Sequence, residues 1–463
     1  MLQRLKNNAD VIYRKTDANC EIYYQEHLCN ILEFMKDIYP VLVEQDRKRL
    51  DHLFPGLCKE IADDEELVEQ LVFSGLLVAQ RGRILYAFDL SKAPSRSTSD
   101  SIADPDNVFG SRDGFVENFK ENIALMRTRV KDSRLMIDTV TLGRRSKTIV
   151  SVLSIEDIHN SEIKKALLEK LKKIDLDAIL SVEDIMAYFQ ENHLFPSYHY
   201  IGNPDSACSR LYNGEFVLII DRICVAVCLP TTLAYASRHK IDGIHLPLFA
   251  FFERLSVLIS AFMSIFFCGI LCSFSTHQRD SLSLTILSTL KVSQTGVFLP
   301  IYLEILLVLF LFELYYIIGF RQSKITVSST IVLIGGLIIG ENLISSGLAG
   351  VFLMTGTAIC FLLTFLVSSN VTTILSISMC RLFIILSSIF FGLVGVVLAS
   401  ILLAYRLYQQ RTLGVPYFYP FLPFDIKGIH KFFMSTSSLK INHRDAALQV
   451  KNRHRRKMHE EDH

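Results

Sequence analysis

The sequence predicts an α/β soluble N-terminal region of two subdomains followed by an all-α polytopic membrane domain, and three observations carry that reading. Half of the 463 residues are hydrophobic, yet almost all the long uncharged runs lie between about residue 250 and residue 405. Residues 1 to about 245 are charged and mix strand and helix periods. The chain then returns to polar, basic sequence, KNRHRRK at Lys451–Lys457.

Taken in order, the opening MLQRLKNNAD has no apolar core of a signal peptide, so the N-terminal region is expected to stay on the side of synthesis. Residues 1–90 read as a mainly helical soluble subdomain with a closing strand at Arg83–Leu90, and 91–107, SKAPSRSTSDSIADPDN, as a Ser, Asp and Pro-rich linker. Residues 108–245 read as an α/β subdomain. Lys147–Ile155 has the β-branched content of a strand, and Ser161–Lys173 and Ser181–Asn192 have helical spacing with Ser at the expected N-caps. Phe216–Ile220 and Ile223–Leu229 form a hairpin around Asp221 and Arg222.

Residues 246–411 are expected to hold about four full spans: Leu255–Phe274, Val297–Phe320, Leu348–Val367 and Leu382–Tyr405. A fifth apolar piece, Val327–Gly340, is short, broken by Gly335–Gly336, and fits a re-entrant or buried segment. Four spans bring both termini to one face, where the basic tail predicts cytoplasm. Residues 412–463 are an aromatic, Pro-rich juxtamembrane stretch, GVPYFYPFLPF, with Gly414, Pro416, Pro420 and Pro423, and then the basic tail. The stretch is expected to pack along the lipid bilayer surface.

Net charge is +1, and no aromatic platform accompanies the basic tail, so nucleic acid is not an expected partner. The ten cysteines include no C-x-x-C pair and read as reduced, small apolar residues. Phosphate-loop, nucleophile-elbow, zinc-protease and dinucleotide signatures are absent from the sequence. The S-x-x-K spacing occurs twice, at Ser161–Lys164 and Ser437–Lys440, in helical and tail sequence. His193 and His199 flank Phe195–Pro196 without a further ligand. No enzyme, cofactor or metal is expected.

Two groups of residues ask for a role. Glu304 and Glu313 lie inside an apolar span and Glu341 follows another apolar run. A carboxylate in hydrocarbon needs a polar path or a partner, so these residues, with Pro300, serve either a membrane path or helix packing. The second group is the turn and helix around Arg112, Asp113, Gly114 and Phe115. Phe115, Phe119, Ile123, Met126 and Val130 make one apolar stripe, Asp113 is expected to cap the helix and Gly114 to allow a tight approach. That leaves Arg112, Glu117, Asn118, Asn122, Arg127 and Arg129 for solvent or for a subunit or subdomain contact.

These residues resemble the A-subunits of the GerA-type spore germinant receptors, from about residue 104 to 424. The family's Arg-Asp/Glu-Gly-Phe turn, Glu-Asn pair and paired arginines match Arg112–Phe115, Glu117–Asn118, Arg127 and Arg129. LYNGEFVLIID, TGVFLPIYLEILLVLFLFE and GVPYFYPFLPF resemble further family segments. The chain departs at Leu309, where members commonly carry Glu, in the turn Tyr200–Asp205, and at Arg222, where a Gly is usual. The resemblance implies a multi-pass protein of the spore inner membrane with both termini in the spore core. It would work as a homo-oligomer with a multispan B-subunit and a lipoprotein C-subunit, forming or gating an ion path. Residues 230–254 would couple the soluble region to the helices. A companion of the dipicolinate channel, of the stage V sporulation AF type, and a non-conducting scaffold are the alternatives.

Overall fold

The structure, a computed structural model, describes residues 11–15, 20–25, 28–40, 58–61, 64–81, 84–90, 113–190, 194–233, 247–321, 340–368, 371–434, 444 and 446–454. The linker 91–107, Arg112, His193, most of Val327–Gly340 and the tail beyond residue 454 lie outside the described residues.

The first soluble unit is built on a sheet, which corrects the expectation of a mainly helical subdomain. Strands β1 (Val11–Lys15), β2 (Cys20–Gln25), β3 (Cys58–Ile61), β4 (Leu77–Arg81) and β5 (Ile84–Phe88) are ordered β1-β2-β4-β5-β3, with every neighbouring pair antiparallel. Alternate side chains of a strand point to opposite faces, and here both faces are covered. Ile22, Tyr24, Ala79 and Phe88 pack under the helical stretch carrying Phe34 and Ile38, while Tyr23, Val78 and Ala87 pack under α1 (Glu65–Phe73). A strand buried on both faces shows little polar alternation, which is why periodicity understates this sheet.

The second unit repeats the principle with another five-stranded antiparallel sheet. Its strands are β6 (Leu135–Leu142), β7 (Thr148–Ile155), β8 (His199–Ile201), β9 (Phe216–Ile220) and β10 (Ala226–Leu229), ordered β6-β7-β9-β10-β8. Helices α2 (Phe119–Arg129), α3 (Ser161–Lys172), α4 (Val182–Met186) and α5 (Pro204–Asn213) enclose it in one apolar core. The hairpin expected at Asp221–Arg222 is present, with Ala226 opposite Ile219 and Leu229 opposite Phe216. Of the two expected Ser caps, Ser181 stands at the N-cap of α4, where its N–H donates to Asp184 at 2.9 Å. At α3 the cap is Asn160, whose side chain accepts from Glu162 N–H, so Ser161 is the first helical residue instead.

Among the described residues three helices are long and apolar enough to cross a membrane: Phe251–Thr276, Ile301–Ile318 and Val371–Gln409. The first two belong to α6 (Pro247–Thr276) and α8 (Ile301–Arg321), joined through α7 (Leu284–Ser293). The expected span at Leu348–Val367 is a shorter apolar helix, α9 (Val351–Val367). Phe312 stacks on Phe361 and Tyr316 meets Phe365 at the same offset in numbering, so α8 and α9 run parallel.

The last expected span is corrected outright. A straight helix of the 39 residues in α10 (Val371–Gln409) would be about 58 Å long, and this one is not straight. Gly392 has φ 60° and ψ −140°, and beyond it the chain folds back. A Cβ at Gly395 would lie 2.1 Å from Ser387 O, and Ile384 shares a cluster with Val396 and Ala399. Ile377 and Leu407 likewise share a cluster with Phe195 and Tyr417, so the far ends of α10 meet the same soluble residues. The uncharged run Leu382–Tyr405 is therefore the turn of a helical hairpin with arms 371–391 and 393–409.

The hairpin returns the chain to the soluble units. A ribbon of β11 (Arg411–Thr412) and β12 (Val415–Pro416) turns at Leu413 and Gly414, both at positive φ (52° and 85°), as a two-residue hairpin loop requires. Pro420 and Pro423 follow cis peptide bonds and lead to α11 (Ile426–Met434). Leu448 and Val450 then enter the core of the second unit, where Lys451 N–H donates to Ile158 O at 3.0 Å. The described part of the basic tail thus lies on protein, at the same end of the helical bundle as the soluble units.

Candidate functional site

The polar residues singled out in the sequence fall into three places. The first is the strap ahead of α2. Phe115 N–H donates to Gly202 O at 2.9 Å, Asn203 Nδ2 donates to Asp113 O at 3.0 Å, and Arg222 N–H donates to Glu117 O at 2.7 Å. The expected cap is corrected here: Asn118, not Asp113, stands at the N-cap and accepts from Lys120 N–H. Asp113 lies five residues before that cap and pairs with Arg129 at 2.9 Å, and Arg129 also donates to Asp205 on the first turn of α5. Burial acts to lower the affinity of the Arg129 guanidinium for its proton, and the hydrogen bonds to Asp205 and Asp113 outweigh it, so its pKa is raised.

The apolar stripe forms as the spacing predicts, with Phe115, Ile123, Met126 and Val130 buried. Two polar residues assigned to other faces are buried as well. Asn122 exchanges two hydrogen bonds with the backbone of Val116, as a strand neighbour would. Arg127 is fully buried, donates to Asp132 O and Leu135 O, and lies 4.5 Å over the ring of Phe73. Phe73 belongs to the first soluble unit, so Arg127 is a contact between the two subdomains.

The second place is inside the bundle. Glu304 is fully buried and accepts from Gln294 Nε2 and from Gly350 N–H, each at 2.7 Å. Gly350 is the N-cap of α9, so this carboxylate sits where a helix presents unpaired N–H groups and positive potential. Pro300 O starts α8 by accepting from Glu304 N–H. Glu313 pairs with Arg381 at 2.5 Å, and Arg381 also donates to Thr364 and Ser378 at 3.1 Å each. One ion pair thus ties α8, α9 and the first arm of α10. Both carboxylates are held by helix-packing partners within the chain, and Glu341 is exposed. Arg381 escapes a reading of the sequence because an Arg bordering an apolar run reads as a flank. The signal that finds it is the demand of Glu313 for a cation.

The third place is the joint between bundle and soluble region. Gln410, directly after α10, accepts from the N–H groups of Leu194 and Phe195 at 3.2 Å and donates to Phe195 O at 2.6 Å. Tyr417 stacks on Phe195 at 6.0 Å and its carbonyl accepts from Leu233 N–H. The aromatic stretch thus begins as a buried wedge under the second unit, with Phe424 exposed at its far end. Of the expected coupling stretch, 234–246 lies outside the described residues; Arg254 on α6 donates to Phe432 O of α11. Among the described residues no cluster of His, Cys, Asp or Glu could hold a metal ion.

Comparison with known proteins gives matches over most of the chain. Residues 1–447 match the family described as Bacillus/Clostridium GerA spore germination protein. Spore germination protein XA of Bacillus anthracis is 33% identical over 369 residues, 79% of this chain and 74% of that protein. Stage V sporulation protein AF of Bacillus subtilis (strain 168) is 25% identical over 465 residues, 94% and 90% of the two chains. The crystal structure of the N-terminal domain of the A subunit of the Bacillus megaterium spore germinant receptor GerK3 matches with a TM-score of 0.36 and 20% identity, covering 49% of this chain and 91% of that one.

Proposed function

The chain belongs to the GerA spore germination protein family, and from that premise we propose that it is the A-subunit of a nutrient germinant receptor in the spore inner membrane. Its task in this reading is to couple germinant sensing to ion release by forming or gating an oligomeric path. It would act as a homo-oligomer with a multispan B-subunit and a lipoprotein C-subunit, with both termini on the spore-core side, and without catalysis, cofactor or nucleic acid.

The observation that carries the coupling role is the Gln410 clamp. A rearrangement of the soluble units reaches the membrane helices only if the connection is stiff and has two arrangements. Gln410 makes three hydrogen bonds to the backbone of Leu194 and Phe195 at the end of the α10 hairpin, so a displacement of the segment around Phe195 is delivered to both arms. The carboxylates Glu304 and Glu313, satisfied within the chain, support gating by rearranged packing. The strap with Asp113 and Arg129 supports assembly of the soluble region.

The test is a Gln410→Leu substitution in spores, scored for release of dipicolinate on each nutrient. Protein present at normal level with loss of response to one class of nutrient supports the role. An unchanged response removes it. The near end-to-end match to the stage V protein supports a second reading, a companion of the dipicolinate channel. Deletion of the gene separates the two, since a receptor subunit abolishes one nutrient response and a channel companion slows release on all of them.

A further inference from the structure

At the end of the bundle away from the soluble units, α6, α7, α9 and the turn 344–350 enclose an open cavity of about 890 Å³. That is within the roughly 300–1,000 Å³ range of small-molecule sites. One wall is apolar, formed by Phe267, Leu271, Val292, Phe352 and Ile359. The polar groups of the lining side chains are hydroxyls alone, and no charged side chain borders the cavity.

Five of the six lining hydroxyls have already committed their protons, and the sixth, Ser293, accepts from Phe352 N–H at 2.9 Å. Thr289 donates to Thr285 O at 2.9 Å, Thr295 to Lys291 O at 3.1 Å and Thr355 to Val351 O at 2.8 Å. Ser345 and Ser346 donate to Asn342 O and Leu343 O, each at 3.3 Å. A hydroxyl has one proton and two lone pairs, so the lining side chains offer several acceptors and, as a donor, only the hydroxyl of Ser293. The carboxylate behind it, Glu304, is engaged by Gln294 and Gly350. An anion here would find one side-chain hydroxyl donor and no positive charge, and a cation no negative charge. An apolar chain with an uncharged, hydrogen-bond-donating head satisfies both walls.

We propose that this cavity binds an uncharged amphiphile of the monoacylglycerol type. The acyl chain lies against Phe267, Leu271 and Ile359, and the glycerol hydroxyls donate to the threonine and serine oxygens. This site is independent of the receptor reading, because it requires only the bundle.

The experiment uses the full chain in phosphatidylcholine nanodiscs and three labelled probes sharing one tail: monodecanoylglycerol, decanoate and decane. Saturable binding of monodecanoylglycerol at one per chain, with decanoate at least tenfold weaker, is the expected result. Ile359→Trp fills the apolar wall and abolishes binding. The triple substitution Thr289→Val, Thr295→Val and Thr355→Val keeps the shape and removes acceptors, which brings the glyceride down to the level of decane. Binding no greater than in empty nanodiscs overturns the proposal, as do equal affinities for decanoate and the glyceride. Should a variant fail to fold by thermal unfolding, the three-probe comparison on the unmodified chain still decides.

Discussion

The guanidinium of Arg381 meets the carboxylate of Glu313 at 2.5 Å across the interface of α8 and the first arm of α10, and Arg381 is 1% exposed there. Removing one member of such a pair leaves the other charged among apolar side chains, at a cost of about 3–5 kcal/mol. Arg381→Met alone and Glu313→Leu alone are each expected to lower the thermal unfolding temperature of the detergent-solubilised chain strongly. Combined, they are expected to restore most of the loss, because two apolar side chains replace the pair. Additive losses in the double variant would show that the two residues do not interact.

Arg222 occupies the turn between β9 and β10 with φ 68°, a region that disfavours every residue with a Cβ. Its main-chain bond to Glu117 O does not need the side chain, and its exposed contact with Asp221 at 3.8 Å contributes little. Arg222→Gly relieves the steric cost and adds chain entropy to the unfolded state, for a net gain of about 0.5–1 kcal/mol. A rise of roughly 2–3 °C in unfolding temperature is expected. A fall would show that the side chain holds the turn.

His159 is buried at the end of β7, with Nδ1 2.8 Å from Ile155 O and its ring beside Phe216. Burial lowers its pKa below 6.5; Lys164 and Lys451 push the same way, and Asp138 and the Ile155 carbonyl oppose them. The unfolded chain therefore binds the proton more readily than the folded one. Stability is complete above the unfolded value and falls as pH drops from 6.5 toward the lower folded value. Replacing His159 with Gln is expected to flatten the change in unfolding temperature between pH 7.5 and 5.5. An equal change in both proteins would assign the dependence to other groups.

The sequence made the order of soluble region, bundle and tail legible, together with the stripe from Phe115 to Val130, because these depend on local periodicity. Other features depend on what comes near in space. Arg127 on a helix reads as a residue for solvent or for a contact, and only the fold shows which, by bringing Phe73 and the carbonyls of Asp132 and Leu135 to it. The strands of the first unit hide because both their faces are covered. Asp113 offers a plausible cap until Arg129 and Asp205 claim that region for an ion-pair network. The hairpin in α10 hides for the opposite reason: an uninterrupted apolar run carries no mark of a reversal that depends on the φ of Gly392.

That reversal makes a prediction about sides. A single crossing by α10 would place residues 371 and 409 on opposite faces of the membrane, whereas the hairpin places both at the soluble units and Leu393 at the far end, next to Gly392, which lies against His277 just beyond α6. Single cysteines at Val371, Gln409 and Leu393, in a chain with its ten native cysteines replaced, can be labelled with a membrane-impermeant maleimide in sealed vesicles. Positions 371 and 409 are expected to react from one face together, and 393 from the other. Close packing of the arms adds a second readout. Gly395→Leu places a side chain against Ser387 O, where even a Cβ has no room, so it must separate the arms and lower stability by several kcal/mol. Labelling of 371 and 409 from opposite faces, or a Gly395→Leu chain as stable as the original, would establish a single long crossing instead.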